Sequence, residues 1–346
     1  MRTILVTGGA GFIGSHFAER IIKTRPDDQV LMLDSLTYAG NLDNILPEVW
    51  NSPRFFFWHG SVLDRTVVER LVAQSDAVVH FAAETHVDNS IHNYNTDDFV
   101  DTDVKGTQIL LDAIRRNSVD RYVHISTSEV YGTALAPLMD EDHPLNPRSP
   151  YASAKCGGDR LVYSYVCTFD IPAVIVRPFN NYGPRQHVEK LIPHVVTQCL
   201  QDKPFQLHGT GKSSRDWLYV DDHVDALTML LDAPLDKIKG EVINLATGID
   251  TDIHTIALGI LKLLGKSESL VNWVADRPGQ VDCHRGSREK AQRLLGWQPR
   301  TSFEEGLEKT VRWYEQNNEW WSKLRRKVMA SGPLEELVAP TKKSNG

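Results

Sequence analysis

Apolar residues in the first half of this chain fall into short β-branched or aromatic runs, separated by longer stretches with helical spacing. The runs predict strands over 2–7, 29–34, 54–59, 77–81, 121–126 and 173–177. The intervening segments predict helices over 12–24, 67–74, 102–117 and 151–169, with apolar residues three and four positions apart. Six strands alternating with helices predict an α/β fold, a doubly wound parallel sheet. After Arg177 the rhythm changes. Loops rich in Asn, Gly and Pro alternate with helical segments over 221–231, 253–264 and 303–318. This half predicts a smaller C-terminal α/β lobe closing over the carboxyl edge of the sheet. No linker separates the two, so residues 1–178 and 179–330 should interlock, and 331–346 reads as a loose polar tail.

The first strand breaks on Gly8, Gly11 and Gly14, and a helix opens through Phe12 and Ile13. A strand that turns on glycine into a helix leaves backbone N–H groups and the positive end of the helix dipole facing a ligand, which suits a phosphate. The second strand ends in Asp34, twenty residues after Gly14, where a Rossmann fold places the acid that holds the adenosine ribose. A carboxylate there repels a 2′-phosphate, so the expected cofactor is NAD rather than NADP.

Charge narrows the partners. With 38 basic against 45 acidic residues the net charge is −7, and no basic run precedes the tail, which argues against nucleic acid. No apolar stretch approaches the roughly eighteen residues of a membrane span. The opening strand leaves no room for a cleaved signal, and Cys156, Cys167, Cys199 and Cys283 lack CxxC or zinc spacing. A cytoplasmic protein with free thiols is expected. His80, His86 and His124 are not at metal-ligand spacing, so no metal is expected. Trp313, Trp320 and Trp321 read as packing residues of the last helix.

Tyr151 and Lys155 are one helical turn apart, so phenol and ammonium share a face. The lysine cation favours the phenolate, making the pair a usable base for a hydroxyl. Thr127, Ser128 and Glu129 follow the fifth strand, at the carboxyl edge where cofactor chemistry takes place.

With these residues in view, the chain resembles the extended short-chain dehydrogenase/reductase family and, within it, the nucleotide-sugar 4,6-dehydratases, especially the dTDP-glucose type. The similarity is carried by 7–14, 34–41, 80–91, 126–132, 151–155, 180–184, 189–193 and 215–220. It implies a tightly held NAD, contacted also by Ala82 and Ala83, and a nucleotide-diphosphate sugar contacted by Thr85, Asn180, Asn181, Lys190, Leu191 and Arg215. Tyr151, with Thr127 and Lys155, would take the C4 hydroxyl proton as hydride leaves. Glu129 would remove the C5 proton, water would leave C6, and hydride would return there. The resemblance also implies a homodimer built on the helices over 102–117 and 151–169, and Ile109, Leu110, Ile114, Leu161, Val162 and Tyr165 are candidates for that second packing surface.

Several positions depart from the dTDP-glucose pattern. Ser128 stands where those enzymes carry the aspartic acid that protonates the leaving hydroxyl. Ser61 replaces an acid expected near the adenine, and Asp103 an asparagine. Residues 280–285 lack paired arginines. A UDP-glucuronate decarboxylase or a 4-epimerase, which share the 4-keto intermediate, therefore stands as the alternative. A non-catalytic NAD-binding regulator would have no need of Thr127, Glu129, Tyr151 and Lys155 together.

Overall fold

The computed structural model describes residues 1–85, 90–91, 96–275 and 283–330. Its main sheet contains β1 (Arg2–Thr7), β2 (Asp28–Asp34), β3 (Phe55–His59), β4 (Ala77–His80), β5 (Arg121–Ile125), β6 (Ala173–Pro178) and β10 (Val242–Leu245). All are parallel, in the order β10-β6-β5-β4-β1-β2-β3. β1 is buried from Thr3 to Thr7, as a central strand covered on both faces must be. Chain direction across the sheet reverses between β1 and β4, and the crevice above their carboxyl ends is the natural ligand position.

Helices α1 (Phe12–Thr24) and α6 (Val220–Asp232) cover one face, burying Phe17, Ile21, Val224, Leu227 and Leu230. On the other face lie α2 (Arg65–Val72), α3 (Thr107–Arg116) and α4 (Pro150–Phe169), with Leu71, Leu110, Ile114 and Val162 inside. Ser149 starts α4: its hydroxyl accepts from the Ala152 N–H at 3.1 Å, with Pro150 in the first turn. This cap fixes Tyr151 at the mouth of the helix.

The remaining strands form the smaller lobe. β9 (Ser214–Tyr219) pairs with β7 (Asn180–Tyr182), β11 (Asp250–Asp252) and β13 (Cys283–His284), while β8 (Phe205–His208) pairs with β12 (Val271–Val274). Helices α5 (Leu191–Leu200), α7 (Ile253–Leu264), α8 (Phe303–Gln316) and α9 (Asn318–Ala330) surround a second core containing Val196, Ile260, Val311, Tyr314 and Trp321.

The six expected strands are present, within a residue of their predicted ends. Three features differ from the sequence reading. The helix expected over 102–117 begins as a π-helical turn, Val100–Gly106, which the apolar periodicity does not reveal. The helix expected over 303–318 breaks at Asn317 into α8 and α9. β10 was not anticipated, and with α6 it returns the chain to the main sheet well after residue 178. The apolar residues assigned to a second packing surface also have a different place. Ile109, Leu110, Ile114 and Val162 are at most 2% exposed inside this chain's core, with Leu161 and Tyr165 packed against it. The four buried residues complete the fold and are not available to a partner, whereas Leu161 and Tyr165 are half-buried.

Candidate active site

One cavity of about 760 Å³ opens at the carboxyl ends of the central strands, between sheet and lobe. Gly8, Gly11, Phe12, Ile13, Gly14, Asp34, Ala82 and Ala83 all line it. Gly8 has φ +68°, and a Cβ there would lie 2.5 Å from the Ala82 nitrogen, so only glycine lets the first turn nest against the chain leaving β4. Gly11 caps α1 without a side-chain hydrogen bond, leaving the first-turn N–H groups for a ligand. The Asp34 carboxylate is held at both oxygens: Oδ2 accepts from the Ala10 N–H and Oδ1 from the Leu36 N–H, each at 2.8 Å. Burial pushes this carboxyl upward and those two hydrogen bonds oppose the shift. A side-chain-free cradle at one end and an oriented acid at the other fit a dinucleotide.

The reactive groups meet deeper in the same cavity, whose wall includes Thr85, Thr127, Ser128, Glu129, Tyr151 and Lys155. β5 ends at Ile125, and Thr127 caps the short turn Ser128–Tyr131 by accepting from the Glu129 N–H at 3.2 Å. Thr127 and Thr85 hydrogen-bond to the Tyr151 phenol. Lys155 is buried and donates to the Ile125 carbonyl at 2.7 Å, with Asp103 Oδ1 3.9 Å from its Nζ.

The electrostatics differ from the sequence expectation. Burial first, then the Asp103 and Glu129 carboxyls, push the Tyr151 phenol upward, while the two threonine hydrogen bonds pull it down. Burial also lowers the Lys155 ammonium, against Asp103 and Asp159. In the free protein, then, desolvation outweighs the cation expected to activate the phenol. Glu129 is raised by burial and opposed by Arg215.

Of the expected substrate contacts, Thr85, Asn180, Asn181 and Lys190 line the cavity, but Leu191 and Arg215 do not. Leu191 opens α5 and packs against the lobe core. Arg215 sits on β9, donates to the Ser214 carbonyl at 2.8 Å, and acts by its charge on Glu129 and His284. Both ends of the Asn181 amide are engaged: Nδ2 donates to the Phe179 carbonyl at 2.9 Å and Oδ1 meets His223 Nδ1 at 2.8 Å. Asn181 therefore shapes the wall. Residues 86–89 of the matching segment over 80–91, His86 among them, and residues 280–282 lie outside the described residues.

Three groups escaped the sequence reading of the site. His284 Nδ1 lies 3.4 Å from Ser128 Oγ, and burial lowers this histidine to about 3. Glu84, also on the wall, is raised by burial to about 7. Trp320 reaches the wall as well as packing edge-on against Trp313. The acid two residues beyond Ala82 could have flagged Glu84. His284 reaches Ser128 across 156 positions of chain, and nothing in its local sequence marks it.

The model of the GDP-mannose 4,6 dehydratase family matches residues 5–310. The chain belongs to this family. A dTDP-glucose 4,6-dehydratase from an Actinoplanes species is 41% identical over 92% of this chain and 99% of its own length. The low-salt glycan biosynthesis protein Agl12 of Haloferax volcanii is 43% identical, covering 90% of this chain and 98% of its own. Among solved structures, the dTDP-glucose 4,6-dehydratase DesIV of Streptomyces venezuelae, with NAD bound, superposes with a TM-score of 0.88 at 42% identity. That match covers 93% of this chain and 99% of the other. As a member of the 4,6-dehydratase family, the chain has its glycine-lined cradle and its Tyr151–Glu129 cluster in one connected space.

Proposed function

We propose that this protein is an NAD-dependent lyase, a nucleotide-sugar 4,6-dehydratase that forms a 4-keto-6-deoxy sugar. The observation that carries this reading is the single cavity that joins Thr127, Glu129, Tyr151 and Lys155 to the glycine cradle. Gly8, Gly11 and Gly14, with the N–H groups of Phe12 and Ile13, would hold the NAD pyrophosphate, and Asp34 the adenosine ribose. The chemistry supplied by bound NAD⁺ is a hydride acceptor at C4 of the sugar and, once reduced, a hydride donor at C6. Tyr151 takes the C4 hydroxyl proton, with its phenol oriented by Thr127 and Thr85. The resulting ketone acidifies C5–H, and Glu129 removes that proton. Ser128 and a neutral His284 offer no group acidic enough to protonate the departing C6 oxygen. Glu129, kept protonatable by burial, serves both steps. The product is identified by incubating the protein with dTDP-glucose, GDP-mannose and UDP-glucuronate and weighing what forms. Loss of one water supports this reading. Loss of carbon dioxide, or an unchanged mass with inverted C4, would replace it with decarboxylation or epimerisation.

In this reading, residues 1–178 serve mainly the cofactor and 179–330 the nucleotide sugar. Asp34→Ala removes two charge-assisted hydrogen bonds to the ribose, each worth about 1.5–3 kcal/mol. NAD binding should weaken by about a hundredfold or more, and the preference over NADP should narrow. Calorimetric titration with both dinucleotides measures this, and an unchanged preference removes Asp34 from that role.

Assembly and location belong to the same proposal. α4 leaves Tyr163 and Phe169 exposed at 47% and 38%, and Val100 on the adjoining π-turn is 53% exposed. These residues, not the buried ones, supply the apolar surface for a homodimer. Light scattering at micromolar concentration should give twice the chain mass, and a monomer there refutes the assignment. The four cysteines are unpaired, which suits a reducing cytoplasm.

A further inference from the structure

Asp103 is 2% exposed, and neither of its carboxylate oxygens has a hydrogen-bond partner among the described residues. Lys155 Nζ lies 3.9 Å away, beyond hydrogen-bond reach, and already donates to Ile125. An acid buried without donors is costly as an anion. The backbone is nonetheless shaped to bring it there. The widened π-turn Val100–Gly106 carries Asp103, and such turns recur at functional sites. Gly158 on α4 admits the close approach, since a Cβ there would lie 2.5 Å from the Asp103 carbonyl oxygen. Its backbone carbonyl accepts from the Thr107 hydroxyl at 2.7 Å.

We propose that Asp103 is a positioning residue that sets, through Lys155, the net charge beside Tyr151, and so fixes the pH range over which C4 deprotonation switches on. The inference rests on Tyr151 being the C4 base. Burial raises the Asp103 carboxyl and lowers the Lys155 ammonium, each partner opposing the other's shift. With both groups protonated the pair carries one positive charge and favours the phenolate. Once a proton leaves, the pair is neutral whichever atom holds the remaining one, and the phenol keeps its own proton more tightly. Loss of that proton therefore moves phenolate formation, and with it proton abstraction, to higher pH. The other titratable neighbours do not replace it. His80 and His124 are held neutral by burial, and Lys155 pushes both further down. Asp159 is paired with Arg177 at 2.9 Å. Glu84 and Glu129 are carboxyls, which add negative charge as they ionise.

The test is Asp103→Asn, isosteric and unable to ionise, prepared with NAD bound. The appearance of NADH in a single turnover of dTDP-glucose is followed against pH. The wild-type rate should rise with pH, and the variant's rise should be centred about one pH unit or more lower, a rate gain of about tenfold at a pH within the wild-type rise. Infrared difference spectra should show a protonated-carboxyl stretch in the wild type that titrates with the rate and is missing from the variant. Coincident pH profiles in a variant that retains NAD overturn the inference. Should the variant lose NAD, a wild-type carboxyl band whose midpoint differs from that of the rate also overturns it. Tyr151→Phe separates the two readings: normal NADH formation by that variant defeats the base assignment, whereas its loss alongside coincident Asp103 profiles defeats only the role of Asp103.

Discussion

Tyr151→Phe should abolish NADH formation from a nucleotide sugar while leaving NAD bound. The substitution removes one oxygen, the atom that Thr127 and Thr85 hold, and leaves a ring of the same shape packed edge-on against Phe99 with centroids 6.3 Å apart. Structural damage is therefore small, and the loss is chemical. Removing a positioned base costs about 10²–10⁴-fold in rate. Retained NAD content with single-turnover oxidation slowed by that factor is the expected result. Oxidation at the wild-type rate would mean that another group takes the C4 proton.

Glu129→Gln should divide the reaction at its middle. C4 oxidation does not use Glu129, so NADH should form, yet the C5 proton has no acceptor and the reduced cofactor should accumulate on the enzyme. Product release should fall by about 10²–10⁴-fold. The amide also lifts a negative charge from beside Tyr151, because Glu129 pushes the phenol upward, so the oxidation step should be no slower and may be read directly as the first phase of absorbance change. In deuterated solvent the wild type should deliver deuterium to C5 of the product through Glu129. A variant that turns over without NADH build-up would move the C5 base elsewhere.

The cofactor half of the site was legible because its signals are local. Gly8 to Gly14 and Asp34 lie within 34 residues and depend on backbone geometry. Tyr151 and Lys155 share one helix, so their spacing alone gives their common face. What was not legible depends on distant segments meeting. The π-turn is decided by the fit of Gly158 against Asp103, and His284 reaches Ser128 only because β13 pairs beside β9. Burial was the other hidden quantity. The Tyr151–Lys155 spacing suggests an activated phenol, but the sign of its shift depends on how much water the closed lobe removes. Leu191 and Arg215 lie just off the cavity wall: Leu191 packs against the lobe core, and Arg215 on β9 acts on Glu129 by its charge.

The origin of β10 bears on how the molecule is made. Its partner β6 is complete by Pro178, but Val242–Leu245 emerges 64 residues later. On the ribosome, the first six strands can pair while one edge of the sheet still presents unsatisfied N–H and C=O groups along β6. During that interval the nascent chain is open to pairing with a neighbouring chain's strand. α6, which covers the sheet face behind that edge, arrives in the same stretch of synthesis. A fragment ending near 178 would thus be an aggregation-prone intermediate rather than a nucleotide-binding module, and the NAD cradle reaches its final rigidity only after most of the second lobe has been translated.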